Sequence, residues 1–181
     1  PLLSLGDQAI LELLVRKLRS YGIADLTLAV GSLSHLIQAV FGDGSEFDVS
    51  VSYHQEKAPL GTAGPLATIL RPEETFLVMN GDVLTTLDYE ALFEAHRESG
   101  NALTVASHRR IVKTEYGVLH TASDSPPGHT TVVSGYEEKP EIPYLVSIGV
   151  YILEPEVIDY IPTATPFDMP ELDERLGLRR S

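Results

Sequence analysis

Three stretches of this 181-residue chain combine residue types suited to binding chemistry. Asp82 follows the apolar run 75–79 through Asn80-Gly81. A carboxylate is a hard oxygen donor, and Mg²⁺ characteristically takes one or two protein carboxylates together with substrate phosphates. Asn-Gly-Asp is also ordinary turn sequence, so the tripeptide alone leaves both ligand and turn open. Upstream, Leu60-Gly61-Thr62-Ala63-Gly64 offers glycine where a backbone must approach a planar ligand with no Cβ in the way. A helix-entry turn is the other reading, and the two are compatible. Glu137-Glu138-Lys139-Pro140 follows a β-patterned run. Lys139, a three-donor point charge, suits a phosphate, and Pro140 ends further strand pairing. A charged strand end on an ordinary surface would look the same. The six histidines show no metal-binding spacing, and no Ser-His-Asp arrangement can be argued.

These residues need elements to position them. The stretch from Tyr53 to Asp82 reads as a strand end, a polar loop, the glycine turn, an apolar helix-like segment over 65–70, and a strand over 75–79 that empties into the carboxylate. Ligands of open α/β sheets collect at the carboxyl ends of the strands. Around it, residues 8–20 carry Ile10, Leu11, Leu14, Val15 and Leu18 at helical spacing, with Asp7 as N-cap and Gly22 as stop. Residues 26–30 suit a strand buried on both faces. A second helix, capped by Ser32 or Ser34, runs to Phe41, and Val49, Val51 and Tyr53 alternate as a strand.

Beyond Asp82 the pattern predicts a helix over 87–99, a strand over 102–107, a polar connection over 109–115 and a short strand over 116–121. A loop over 122–130 follows, then strands over 132–138 and 144–153, a short helix over 155–161 and a last helix over 168–178. There Asp168 and Glu171 make a near capping box. The sum is an α/β chain, a single domain over 1–181 with a mixed, mainly parallel central sheet.

Pro59 to Leu66, followed by a strand ending Asn80-Gly81-Asp82, resembles the sugar-1-phosphate nucleotidyltransferase family, and within it is most like the mannose-1-phosphate guanylyltransferases. Tyr116-Gly117-Val118, Glu137-Glu138-Lys139-Pro140, Ile148-Gly149-Val150-Tyr151 and Phe167-Asp168-Met169-Pro170 fall in the family's order and approximate spacing, so the resemblance covers nearly the whole chain. It implies a three-layer Rossmann-like fold and transfer of NMP from an NTP to a sugar 1-phosphate, with Mg²⁺ as cofactor and pyrophosphate released. It also implies that Asp82 and the Gly61 loop share one cleft. Asp82 would be a metal ligand and, with Lys139, a catalytic residue. Gly61 would lie against the base with Thr62 beside it, Glu138 and Lys139 would bind the sugar and its phosphate, and Gly117 and Gly149 would line the sugar pocket. Ser147 stands where many relatives carry Asn.

Glu56, five residues before Gly61, stands where relatives read the base. An ionised Glu only accepts hydrogen bonds. Guanine offers two adjacent donors, whereas uracil and thymine offer one donor flanked by acceptors, so an acid fits guanine and a Gln fits a pyrimidine. Gln55 next door leaves the register open by one residue, and a solvated loop glutamate remains the alternative. A thymidylyl- or uridylyltransferase acting on glucose 1-phosphate is the competing enzyme. A non-catalytic subunit that keeps the base and sugar pockets is the competing class.

The family also carries a basic GGxGTRL loop before the position matching Pro1 and a Trp-x-Asp-Ile-Gly segment after the last helix. Neither occurs here, so the chain is expected to be a fragment with little pyrophosphate release of its own. Thirteen basic against 26 acidic residues give a net charge of −13, which excludes a partner bound through non-specific contacts to nucleic-acid phosphates. No apolar run reaches the ~18 residues of a membrane span, and no signal peptide is evident. The absence of cysteine excludes disulfides and thiolate metal sites and is compatible with a cytoplasmic enzyme. A homo-oligomer is allowed but not required.

Overall fold

A computed structural model describes residues 4–31, 34–56, 58–69, 72–121 and 130–177. They divide into two compact units: the first runs up to Ala106 and resumes at Gly149, and the second spans Ser107–Ile148.

In the first unit, a small antiparallel pair, β1 (Ser4–Leu5) and β2 (Gln8–Ala9), leads into α1 (Ile10–Ser20). Leu11, Leu14, Val15 and Leu18 are buried along one face of that helix, as their spacing requires. Its N-cap is Ala9, with no side-chain cap bond, instead of Asp7, because β2 intervenes between the aspartate and the first turn. The C-terminus follows expectation. Gly22 takes φ +81°, its N–H donates to Arg19 O (3.0 Å), and Ile23 N–H reaches Leu18 O (3.1 Å), the pair of bonds that closes a Schellman motif.

Two strands, β3 (Asp25–Val30) and β4 (Ser50–Gln55), pair in parallel from Asp25↔Ser50 to Val30↔Gln55. Between them in sequence lies α2 (Ser34–Phe41), opened by Ser34; Ser32 is outside the described residues. Burial on both faces of β3 is not observed. Asp25, Thr27 and Ala29 are exposed while Leu26, Leu28 and Val30 turn inward, so the strand is two-sided and Thr27 Oγ1 meets Ser52 Oγ across its open face (2.9 Å).

Antiparallel pairing joins β5 (Phe76–Met79) to β9 (Glu141–Leu153) from Phe76↔Leu153 to Met79↔Val150, and β9 is in turn flanked by β6 (Leu103–Lys113). Parallel and antiparallel pairing therefore coexist, as a mixed α/β architecture predicts, but the expected mainly parallel sheet is not observed among the described residues: β3–β4 is parallel, whereas β1–β2, β5–β9 and the pair in the second unit are antiparallel. The next helix, α3 (Tyr89–Ser99), starts at Asp88, whose carboxylate accepts from Ala91 N–H (3.2 Å). Its His96, 1% exposed, bonds Thr104 Oγ1 through Nδ1 (2.7 Å) and Glu154 Oε1 through Nε2 (3.0 Å), and Thr75 Oγ1 donates to the same Glu154 oxygen (2.9 Å). This network ties α3 to β6 and to the ends of β5 and β9.

Ala63, Leu153, Val157, Ile161, Phe167, Met169 and Leu172 form a buried cluster, the last two contributed by α4 (Met169–Gly177). The helical segments expected over 65–70 and 155–161 are shorter 3₁₀ turns, Gly64–Ala67 and Pro155–Tyr160. The first stops where both the N–H and the hydroxyl of Thr68 close onto Pro65 O (3.0 and 2.9 Å).

In the second unit, β7 (Val118–Thr121) and β8 (Val133–Glu137) form an antiparallel pair with an irregularity at His120/Thr121. The expected polar connection over 109–115 is instead the continuation of β6 to Lys113. Ile111 and Val112 are β-branched, Lys113 Nζ pairs with Glu141 Oε1 at 2.5 Å, and Thr114 N–H donates to Pro140 O (3.3 Å). Pro140 thus takes part in pairing through its carbonyl. Residues 122–129 of the expected loop are outside the described residues.

Candidate functional site

The glycine loop stands at a step in burial. Ala63 is 0% exposed and belongs to the core cluster, whereas Gly61 and Thr62 are exposed. The segment before α4 holds the loop from behind. Ala63 N–H and Gly64 N–H both donate to Phe167 O (2.9 Å each), and Phe167 N–H donates back to Leu60 O (2.9 Å). Asp168 Oδ1 accepts from Thr62 N–H (2.8 Å) and from Thr62 Oγ1 (3.1 Å), and Thr62 Oγ1 accepts from Met169 N–H (2.9 Å). Gly61 sits at φ +78°, and a Cβ there would lie 2.7 Å from both Asp168 Oδ1 and Phe167 O. Among the described residues, its own N–H is the one backbone donor between Leu60 and Gly64 left uncommitted.

The near capping box at α4 is half realised. Glu171 Oε2 accepts from Asp168 N–H (2.8 Å), but the Asp168 carboxylate turns to Thr62. Glu56 is half-buried at the end of β4, and its Oε2 faces Leu60 N–H at 3.4 Å, so its carboxylate leans on the loop that precedes Gly61.

Asp82 is exposed, and its carboxylate has no hydrogen-bond or ion-pair partner among the described residues. Its position is fixed from both sides. Past the last paired residue of β5, Asn80 N–H donates to Gly149 O (3.0 Å), and Gly149, at φ +71°, lies so close that a Cβ would meet Asn80 Nδ2 at 2.5 Å. Downstream, Lys17 of α1 donates to Thr85 O (2.6 Å) and Leu87 O (2.8 Å) and stands over the Tyr89 ring (4.9 Å). The structure therefore brings Gly149 beside the turn that carries Asp82. No three His, Asp or Glu side chains converge among the described residues. A single exposed carboxylate fits the Mg²⁺ habit of sharing few protein ligands with phosphates, not a closed protein cage.

In the second unit, Glu138 and Lys139 are exposed just past β8. Lys139 has φ +46°, a left-handed conformation that costs a non-glycine residue roughly 1–2 kcal/mol. The Tyr136 hydroxyl donates to Glu138 Oε2 (2.7 Å), and this bond to a carboxylate raises the Tyr136 pKa above the ordinary tyrosine value. Gly117 lies against the hydroxyl end of the Tyr136 side chain, where a Cβ would overlap it.

Sequence reasoning missed two features. One is the Tyr136 contact, whose only signal is its place two residues before Glu138. The other is the Thr62–Asp168 pairing across 106 positions, for which no local signal exists. Two surface depressions of about 410 and 390 Å³, lined by Glu156, Asp159, Tyr160 and Arg175 and by residues around His96 and Glu154, contain neither Asp82 nor Gly61.

Residues 1–173 match the nucleotidyl transferase family. A UTP–glucose-1-phosphate uridylyltransferase of Synechocystis sp. is 31% identical over 189 positions, covering 93% of this chain and 47% of that protein. A mannose-1-phosphate guanyltransferase of Candida albicans is 29% identical over 168 positions, covering 89% and 45%. The chain spans about half the length of these curated relatives. The crystal structure of HddC from Yersinia pseudotuberculosis shares the fold, with a TM-score of 0.67 at 22% identity, over 93% of this chain and 72% of that one. A match that takes in the glycine loop, the Asp82 turn and the Glu138-Lys139 strand end settles the relationship: the chain belongs to the nucleotidyl transferase family.

Proposed function

We propose that the protein transfers a nucleoside monophosphate from an NTP to a sugar 1-phosphate, with GTP and mannose 1-phosphate as its pair, in the cytoplasm. The whole described chain would act as one nucleotidyltransferase domain. The observation that carries this reading is the junction of Asn80 with Gly149. It holds the turn that carries Asp82, whose carboxylate has no partner among the described residues, against Gly149, the glycine that the family resemblance assigns to the sugar pocket.

An oxygen of the sugar phosphate attacks the α-phosphorus, the bond to the β-phosphate oxygen breaks, and pyrophosphate leaves. Such displacement depends on alignment and charge neutralisation more than on a general base. Asp82 would hold Mg²⁺, which supplies that neutralisation when bound. Gly61, in a cleft we propose it shares with Asp82, would offer its N–H and a Cβ-free surface to the base, with Thr62 fixing the loop. Glu56 would accept from guanine N1–H and the exocyclic amine. Glu138 would accept from sugar hydroxyls, Lys139 would contact the sugar phosphate, and Gly117 and Gly149 would line the sugar pocket. The second reading, a uridylyltransferase using glucose 1-phosphate, is favoured by the Synechocystis relative.

Pyrophosphate release by the full-length gene product, measured with Mg²⁺ for each pairing of GTP, UTP and dTTP with mannose or glucose 1-phosphate, decides among them. We expect GTP with mannose 1-phosphate to lead and Asp82→Asn to lower its rate by roughly 10²–10³. A lead for UTP with glucose 1-phosphate selects the second reading. Nucleotide binding without release for any pair selects a non-catalytic subunit.

A further inference from the structure

We propose that Asp168 is a positioning residue for the nucleotide, setting the Gly61 backbone through Thr62; this rests on the nucleotidyltransferase reading. Three observations converge on it.

First, Asp168 is spent on the loop instead of on its own helix. An Asp before a helix ordinarily accepts from an N–H of the first turn. Here Oδ1 accepts both Thr62 bonds, while Glu171 satisfies the Asp168 N–H and keeps the helix start intact. Second, the contact is reciprocal. Thr62 Oγ1 donates to Asp168 and accepts from Met169 N–H, so its hydroxyl is committed to the clamp, and Thr62 serves the site through its backbone. Third, the clamp leaves one group over. With the N–H groups of Leu60, Thr62, Ala63 and Gly64 engaged, the exposed Gly61 N–H is the donor that remains for a ligand among the described residues.

The bond from Thr62 N–H to a carboxylate fixes the Gly61–Thr62 peptide, and the Phe167 N–H bond to Leu60 O fixes the peptide that carries the Gly61 N–H, so the two together set the direction in which Gly61 faces. A charged acceptor makes these bonds stronger than neutral ones. Asp168 itself is exposed, while Phe167 (6% exposed) and Met169 (2%) anchor the segment in the core. Removing the carboxylate should therefore free the loop without unfolding the unit.

The test titrates GTP and UTP separately, with Mg²⁺, into the full-length protein and its Asp168→Ala, Asp168→Asn and Thr62→Val variants, alongside KM and kcat for both substrates. Loss of both charge-assisted bonds should weaken nucleotide binding roughly ten- to hundredfold in Asp168→Ala, and by a smaller factor in Thr62→Val, which loses the hydroxyl bond but keeps the Thr62 N–H bond to Asp168. The KM for the sugar phosphate should stay unchanged. Asp168→Asn keeps an oxygen acceptor and should recover most of the loss. A fold-only role would lower thermal stability in Asp168→Ala with nucleotide affinity intact, which overturns the proposal while the enzyme reading stands. If the wild type binds nucleotide but transfers nothing, the enzyme reading fails and the binding series still judges the clamp. A wild type that binds neither GTP nor UTP overturns both.

Discussion

Alanine at Gly61 separates two costs that are usually confounded. Gly61 and Gly22 have nearly the same φ, +78° and +81°, so an L side chain meets a left-handed penalty of roughly 1–2 kcal/mol at each. At Gly22 nothing lies within 4 Å of the added Cβ, and that penalty is the whole cost. At Gly61 the Cβ would stand 2.7 Å from Asp168 Oδ1, 2.7 Å from Phe167 O and 3.0 Å from Phe167 C. The carboxylate can swing aside. The Phe167 backbone cannot, since its carbonyl takes two N–H groups, its own N–H is given to Leu60 and its ring is buried. Overpacking adds about 1–3 kcal/mol, and each loosened hydrogen bond about 0.5–1.5 kcal/mol. Gly61→Ala should therefore cost about 3–5 kcal/mol against about 1–2 kcal/mol for Gly22→Ala. Urea unfolding followed by circular dichroism reads this as a lower midpoint at constant slope. Adding Asp168→Ala to Gly61→Ala should recover little, because the Phe167 contacts remain. Equal losses for the two glycines would show that the loop yields and that close approach does not fix Gly61.

Further outcomes follow from the same geometry. Lys139→Gly relieves the left-handed backbone at φ +46°, so the unfolding free energy from a urea titration should hold or rise by up to about 1 kcal/mol, while pyrophosphate release falls; retained activity would reduce Lys139 to a turn residue. Glu56→Gln should cost about 1–3 kcal/mol in kcat/KM for GTP and less for UTP or dTTP, and equal losses would mean that Glu56 merely braces Leu60. Glu154→Ala strips the acceptor from His96 Nε2 at a site where His96 is 1% exposed, and should lower stability by about 1–3 kcal/mol in a urea titration.

Local chemistry made much of this legible. The spacing of Leu11, Leu14, Val15 and Leu18 defines α1, and Gly22 ends it because only a residue comfortable at positive φ closes that motif. Asp82 at the mouth of β5 was equally readable. The failures share a cause, namely partners distant in sequence. Leu26 to Val30 looks buried on both faces until the alternating exposure of β3 shows one face open. Residues 109–113 look like a connection until Glu141 and Pro140 supply the strand's partners. Asp168 reads as a cap because the sequence around it offers Glu171, whereas Thr62 lies 106 positions away.

The glycines at the candidate site show how such partners change the inference. Gly61, Gly117 and Gly149 were each expected to line a ligand, and each also has a neighbour that forbids a side chain: Phe167 and Asp168 at Gly61, the Tyr136 ring at Gly117, Asn80 at Gly149. A glycine required by packing is lost on substitution whether or not it touches substrate, so activity lost in an alanine variant cannot by itself count as a ligand contact. The neighbours discriminate better. Truncating Asp168, Tyr136 or Asn80 leaves the glycine's backbone uncrowded and removes only what holds or faces it. The function of each glycine is thus best tested on a neighbouring side chain, Asp168 for Gly61, Tyr136 for Gly117 and Asn80 for Gly149, and not on the glycine itself.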